Sequence, residues 1–317
     1  MLRASLLRLT CGRLSVDMSK VNILYMAGAG RSGTTLLSRL LDLEADHRAV
    51  GELRALGEEA VWGLMCGCGN RHDACPVWGP IIDAWSDQSR LAAWREIITA
   101  RSIGPLMRRD AQSSWDGSPR GLDELRRVYE ANLAEPGTVL VDESKHPWLG
   151  WVLARQSWAD VRFVQIVRDP DDVVTSWSTA KDYHKQTPAE EVARRWLTRQ
   201  ATSEGLRRSC GRPWLRISYQ ELVNAPQETL EKVLGRPSTG LLWDGQVWAF
   251  SSRENHIYLS NSDKLRRGHE VVRATSPGAA DRGRRGAFQR LARRVYQSMV
   301  QDAPFTWQSH GARCPGG

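Results

Sequence analysis

The sequence predicts an α/β fold: a parallel sheet flanked by helices on both faces, with a helical cap inserted along the way. Three observations predict it. An apolar strand runs into a glycine-rich turn and then an apolar-periodic helix between Val21 and Leu43. Short apolar stretches ending in polar residues recur at Val139–Asp142, Arg162–Val167 and Trp214–Ile217, as buried parallel strands do. Ahead of these three lies a block from Trp78 to about Glu135 that is helical in pattern and rich in Trp, Arg and Leu. Strands alternating with helices place the connections on both faces of one sheet.

Taken in order, residues 1–20 are basic with a short apolar patch, lack a proper leader core, and are set aside from the fold. Residues 21–305 are expected to form a single domain, and 306–317 a tail. Ile23–Ala27 is the first strand, and Thr34–Leu43 a helix with Leu36, Leu37, Leu40 and Leu41 on its apolar side. The cap, about 78–135, is broken at Gly104-Pro105 and again from Asp116 to Pro119. Pro170 and the acidic pair Asp171-Asp172 open a helix through Ser176 and Trp177, with proline and acids where a first turn accepts them. The strand at 214–217 leads to Tyr219 and a helix over Glu221–Val223. Residues 261–294 are basic and read as mostly irregular, then helical to about Val300.

At 317 residues the chain can bury a large core. Charged residues make up 25% and the mean hydropathy is -0.45, so a soluble, cytoplasmic protein is expected. No apolar run approaches the ~20 residues of a membrane helix. A net charge of +8 favours an anionic ligand, and no zinc-finger, homeodomain or RNA-binding signature accompanies it, so nucleic acid is not expected as a partner. Six cysteines are too few and scattered for a disulfide scaffold. Three of them cluster as Cys66, Cys68 and Cys75, with His72 between. A metal knuckle, a disulfide and a plain glycine-rich turn with free thiols all accommodate this stretch. Cys66-Gly67-Cys68 lacks the C-x₂₋₄-C pairing usual for structural zinc, so the turn is preferred and no metal is expected.

The turn after the first strand keeps the glycine spacing of the P-loop at Gly28 and Gly33, but Thr34 stands where that loop has lysine. The fold class is therefore P-loop-like. Backbone amides at a glycine turn leading into a helix form an anion site without any side chain. Ser32, Thr34 and Thr35 add hydroxyls, and Arg31 a cation. A phosphate suits this loop, whereas ATP chemistry wants the missing lysine and a magnesium-binding carboxylate.

Arg31-Ser-Gly-Thr-Thr-Leu36 resembles the 5′-phosphosulfate loop of sulfotransferases that use 3′-phosphoadenosine 5′-phosphosulfate (PAPS). That family has a second hallmark, a strand-end arginine followed by a helical serine, both gripping the 3′-phosphate. Val167-Arg168 and Ser176, eight residues after Arg168, resemble it. Arg216-Ile-Ser-Tyr219 with Glu221-Leu222 is similar to the segment whose tyrosine lies near the adenine. Leu265-Arg266-Arg267-Gly268 resembles the late basic stretch that adds cations to the 3′-phosphate. The Cys66–Trp78 segment and Asp142-Glu-Ser-Lys-His-Pro147 resemble a bacterial branch of the family.

The resemblance implies that Gly30, Arg31, Ser32, Gly33, Thr34 and Thr35 hold the 5′-phosphate of PAPS, with 3′-phosphoadenosine 5′-phosphate (PAP) as product and no metal. Sulfuryl transfer also needs a base. Glu52, in Val50-Gly-Glu-Leu-Arg54, resembles the base of tyrosylprotein and polysaccharide sulfotransferases, with Arg54 at the place of an assisting arginine. His146 is the other candidate, but the family's K-x-H spacing becomes an adjacent Lys145-His146 here. Lys145 could reach the bridging oxygen or the acceptor, and Arg31 the moving group. The expected acceptor is a hydroxyl, or an amine, of a small molecule, glycan or lipid. Fourteen tryptophans suit such a compound and suit core packing equally. Two other classes fit a glycine-rich loop: a kinase or NTPase with a degenerate P-loop, and a non-catalytic relative that binds nucleotides or anions.

Overall fold

The computed structural model describes residues 19–99, 119–178, 187–240, 242–243, 248–252, 255–260, 268–272, 286–301 and 307. The break expected at Gly104-Pro105, the extension before residue 19, and Arg266 and Arg267 lie outside them.

Five parallel strands form the central sheet: β1 (Val21–Gly28), β2 (His47–Gly51), β3 (Val139–Asp142), β4 (Ala159–Val167) and β5 (Trp214–Ser218), in the order β2-β3-β1-β4-β5. Every residue of β1 is buried, which is why it reads as a continuous apolar run rather than an alternating one. The strand order reverses around β1. In open parallel sheets, ligands bind at such reversals, outside the carboxyl ends of the strands.

The register brings the predicted residues to that edge. Gly28 pairs with Ile166, so the turn after β1 lies beside the residues that follow β4. Val167 pairs with Ser218, which aligns Arg168 with Tyr219. Gly51 pairs with Asp142, which aligns Glu52 with Glu143. Strand β2 was not expected from sequence, and it is β2 that carries Glu52 to the edge.

On one face, α1 (Thr34–Leu41), α8 (Tyr219–Asn224) and α9 (Pro226–Leu234) pack Leu37, Leu40, Leu222 and Leu230 against Leu24, Met26, Val164 and Ile166. On the other face the helices of the expected cap, α2 (Gly79–Ala84), α3 (Gln88–Thr99) and α4 (Pro119–Glu130), share one core with Ile23, Tyr25 and Phe163. Trp78, Trp85 and Trp94 are completely buried there, so these tryptophans are core. Helix α5 (Pro147–Leu153) buries all seven of its residues in the same layer. Helices α6 (Pro170–Ser178), α7 (Ala189–Ser209) and α10 (Ala287–Gln301) form a third cluster around Trp196 and Val173.

Part of the basic region read as irregular is strand. A second, antiparallel sheet joins β6 (Leu242–Trp243), β7 (Trp248–Ser252) and β8 (Gly268–Val272), with Gly268 paired to Ser252. No described helix is long and apolar enough to cross a membrane.

Candidate active site

The site is built on the turn between β1 and α1. Gly28 has φ 117° and Gly33 φ 98°, values that L side chains rarely adopt. A Cβ on Gly28 would lie 2.5 Å from the Ile166 carbonyl oxygen, so the glycine lets the turn press against β4. Arg31, at φ 66°, also holds a left-handed conformation. Amides in the first turn of α1 have no partner within the helix, and Gly33, its N-cap, offers no side-chain cap. Ser32 is fully buried, yet its Oγ has no hydrogen-bond partner among the described residues. An uncapped helix start beside a buried, unpaired hydroxyl is a donor set prepared for an anion. The chain thus fits a phosphate group at this turn.

Arg168 comes from the end of β4 and donates from Nη1 to the Arg31 carbonyl oxygen at 3.1 Å. Its guanidinium carbon lies 4.1 Å from the centre of the Tyr219 ring, and its Nε has no hydrogen-bond partner in the described structure. Asp172 approaches the same Nε at 3.9 Å. Residues 168, 172 and 176 follow one another at helical spacing, which places half-buried Ser176 on that face of α6. Tyr219 is fixed by a capping box: the Ser218 hydroxyl accepts from the Glu221 amide, and the Glu221 carboxylate accepts from the Ser218 amide. The Tyr219 ring covers Gly33, where an added Cβ would be 2.5 Å from a ring carbon. The Arg31 guanidinium lies 5.3 Å from the Trp177 ring centre.

A second group of charges adjoins the loop. Glu52 accepts from Arg54 Nε at 3.1 Å and Nη2 at 2.7 Å, and from Lys145 Nζ at 3.0 Å. Burial works to raise the Glu52 pKa, but the two cations outweigh it and hold the carboxyl below its ordinary value. Lys145, in a left-handed conformation at φ 53°, also donates to the Glu143 carbonyl oxygen. Arg199 from α7 donates to the Lys145 carbonyl oxygen at 3.2 Å, bringing a third cation to the group.

Glu143 connects this group to the loop. It is fully buried, and its Oε2 accepts from the Thr35 hydroxyl at 3.0 Å. Burial pushes its pKa up to about 7, with Lys145 opposing and Glu52 adding to the rise. Thr35 also contacts the Ser260 hydroxyl at 2.9 Å. Thr34 is buried at the helix start.

His146 lies close by, at the start of α5. Its Nδ1 accepts from the Leu149 amide at 3.3 Å as the N-cap of α5, and its backbone brackets the Tyr25 hydroxyl. Among the residues singled out from sequence, the structure gathers Gly30–Thr35, Glu52, Arg54, Lys145, Arg168 and Tyr219 at one edge. Glu143 and Arg199 were not assigned roles from sequence. The first stands within the quoted 142–147 segment, and nothing in the sequence marks the second. A cavity of about 390 Å³, lined by Asn22, Val139, Asp160 and Arg236, opens at the amino ends of the strands, away from this chemistry.

The fold and this edge define a P-loop-like α/β protein whose glycine turn lacks the P-loop lysine. The chain belongs to the sulfotransferase family, whose pattern matches residues 24–238. Its fold is similar to the sulfotransferase domain from the olefin synthase of Synechococcus PCC 7002, at 19% identity and a TM-score of 0.51, over 91% of this chain and 98% of that one. The sulfotransferase domain from the curacin biosynthetic pathway aligns at 16% identity and a TM-score of 0.43, over 69% of this chain and 75% of that one. No curated protein matches the chain.

Proposed function

We propose that the chain transfers a sulfuryl group from PAPS to a hydroxyl, or an amine, of a small-molecule, glycan or lipid acceptor. The contact path from Thr35 through Glu143 and Lys145 to Glu52 carries this reading, because it joins the anion turn directly to a carboxylate held between cations.

In this reading Gly30–Thr35 bind the 5′ end of the nucleotide through amides, the hydroxyls of Ser32, Thr34 and Thr35, and the Arg31 cation. Arg168 and Ser176 bind the 3′-phosphate, with Arg266, Arg267 and Gly268 completing that side, and Tyr219 lies toward the adenine. Bound there, PAPS supplies a sulfuryl group already activated by its phosphate leaving group. Glu52 takes the proton of the acceptor hydroxyl. Its ionised state, secured by Lys145 and Arg54, keeps it ready to accept that proton at neutral pH. Lys145 and Arg31 oppose the negative charge that develops in the transition state. His146, committed at Nδ1 to the Leu149 amide, keeps the Lys145 backbone in place.

The test is acceptor-dependent release of PAP from sulfur-labelled PAPS, run without added magnesium over a panel of hydroxyl compounds. Labelled sulfate ester is the expected product. Phosphoryl transfer from magnesium–ATP would identify a kinase instead, and nucleotide binding with no transfer to any acceptor would identify a non-catalytic relative.

A further inference from the structure

The cysteine stretch read from sequence as a plain turn has a partner from far along the chain. Cys66, Cys68 and Cys75 converge with His256 so that all four ligand atoms lie within 4.8 Å of one another. Cys66 and Cys75 sulfurs are 3.6 Å apart, Cys68 and Cys75 3.8 Å, and the Cys75 sulfur is 3.3 Å from His256 Nδ1. Zinc–sulfur bonds near 2.3 Å and zinc–nitrogen bonds near 2.0–2.1 Å give tetrahedral edges of about 3.8 Å and about 3.6 Å, close to these spacings. A disulfide needs sulfurs about 2.05 Å apart, and these sulfurs stand 3.6 and 3.8 Å from one another.

We propose that these four residues form a closed structural zinc site. Three thiolates and an imidazole are the soft donor set that selects Zn²⁺ over Mg²⁺ or Ca²⁺. They fill a tetrahedron and leave no open position for chemistry. The outer contacts are also in place. Asn70 Nδ2 points at the Cys68 sulfur at 3.6 Å, and Trp78 Nε1 donates to the His256 carbonyl oxygen at 2.7 Å. His72, the ligand that proximity in sequence suggests, is used elsewhere: Nδ1 and Nε2 each lie 2.7 Å from a carbonyl oxygen, of Val61 and Tyr258.

The unusual C-G-C spacing follows from the same packing. A Cβ on Gly67 would sit 1.6 Å from Asn255 Oδ1 and 3.0 Å from the Asn255 carbonyl oxygen, so the glycine lets the 255–258 segment lie close over the loop. That segment continues to Leu259, whose carbonyl oxygen accepts from the Glu52 amide at 2.9 Å, and Tyr258 donates to the Val50 carbonyl oxygen. The metal therefore staples together two distant segments that support the proposed base.

The test is elemental analysis of the full-length chain, expressed with zinc and dialysed against a weak chelator. About one zinc per chain is expected, lost in His256→Ala and retained in Cys210→Ser, which changes a buried cysteine outside the cluster. Cobalt substitution of the wild-type chain tests the geometry without relying on a variant that folds. Intense visible absorption with thiolate-to-cobalt charge transfer is expected. Zinc-free protein, iron in place of zinc, a Cys66–Cys75 disulfide, or the weak spectrum of six-coordinate cobalt would each overturn the proposal.

Discussion

Two glutamates, Glu143 one contact from the glycine turn and Glu52 three, are tuned in opposite directions. Glu52, between Lys145 and Arg54, is held ionised, and replacing it with glutamine keeps its shape while removing its basicity. Glu52→Gln is expected to lower turnover about 10²–10⁴-fold while PAP affinity stays near wild type, measured by initial rates and calorimetry. Surviving turnover would remove Glu52 from the base role. Glu143 has its pKa raised to about 7, from an ordinary 4.5, chiefly by burial. Because the folded state then binds more protons than the unfolded one, this group's contribution to stability is full below about pH 4.5 and is lost as pH rises toward about 7. Glu143→Gln is expected to flatten the fall in wild-type stability across that window, worth about 3 kcal/mol, in denaturant titrations at several pH values. An unchanged pH profile would place the titration elsewhere. Arg31, Glu52 and Arg168 could be singled out in the sequence because each stands in a segment that resembles one of the family's. Glu143 was not, because its pKa comes from burial. His256 was not, because 181 residues separate it from Cys75.

Among the elements, the capping box that starts α8 does more than end a strand. By satisfying the Ser218 and Glu221 amides it sets Tyr219 against both Gly33 and Arg168. Ser218→Ala is expected to cost about 1 kcal/mol of stability and to weaken nucleotide binding through a loosened Tyr219. A stability loss with unchanged nucleotide affinity would confine the cap to a scaffold role. Strands β1, β3, β4 and β5 could be read directly, since burial on both faces makes them short apolar runs. Strand β2 could not, because His-Arg-Ala-Val-Gly offers only two apolar side chains to the pattern. Helix α7 escaped for a related reason. Its buried face includes Ala193, Gln200, Ser203 and Gly205, so helical periodicity in large apolar residues is weak over its 21 residues. Strand β8 lies in a stretch whose basic composition reads as loop.

For the molecule as a whole, the sheet register is what turns separate motifs into one site. Residues after β1, β2, β3, β4 and β5 reach the same carboxyl edge, although they span positions 28 to 219 of the chain. Sequence alone carried the order of the motifs, but their convergence depends on the reversal of strand order around β1. Trp78, Trp85, Trp94, Trp148 and Trp151, by contrast, are buried in the helical layer and say nothing about the acceptor. The central claim is that two anion cradles, the glycine turn and the Arg168 corner, hold opposite ends of one nucleotide. Calorimetry measures it most directly, comparing PAP with adenosine 5′-phosphate, both without magnesium, on the wild type and on Arg168→Ala, with magnesium–ATP as the reference ligand. The account predicts magnesium-independent PAP binding, weakened tenfold or more by the substitution, on the order of a lost charge-assisted contact, while adenosine 5′-phosphate changes little. Equal losses for both nucleotides, or tighter binding of magnesium–ATP than of PAP, would contradict it.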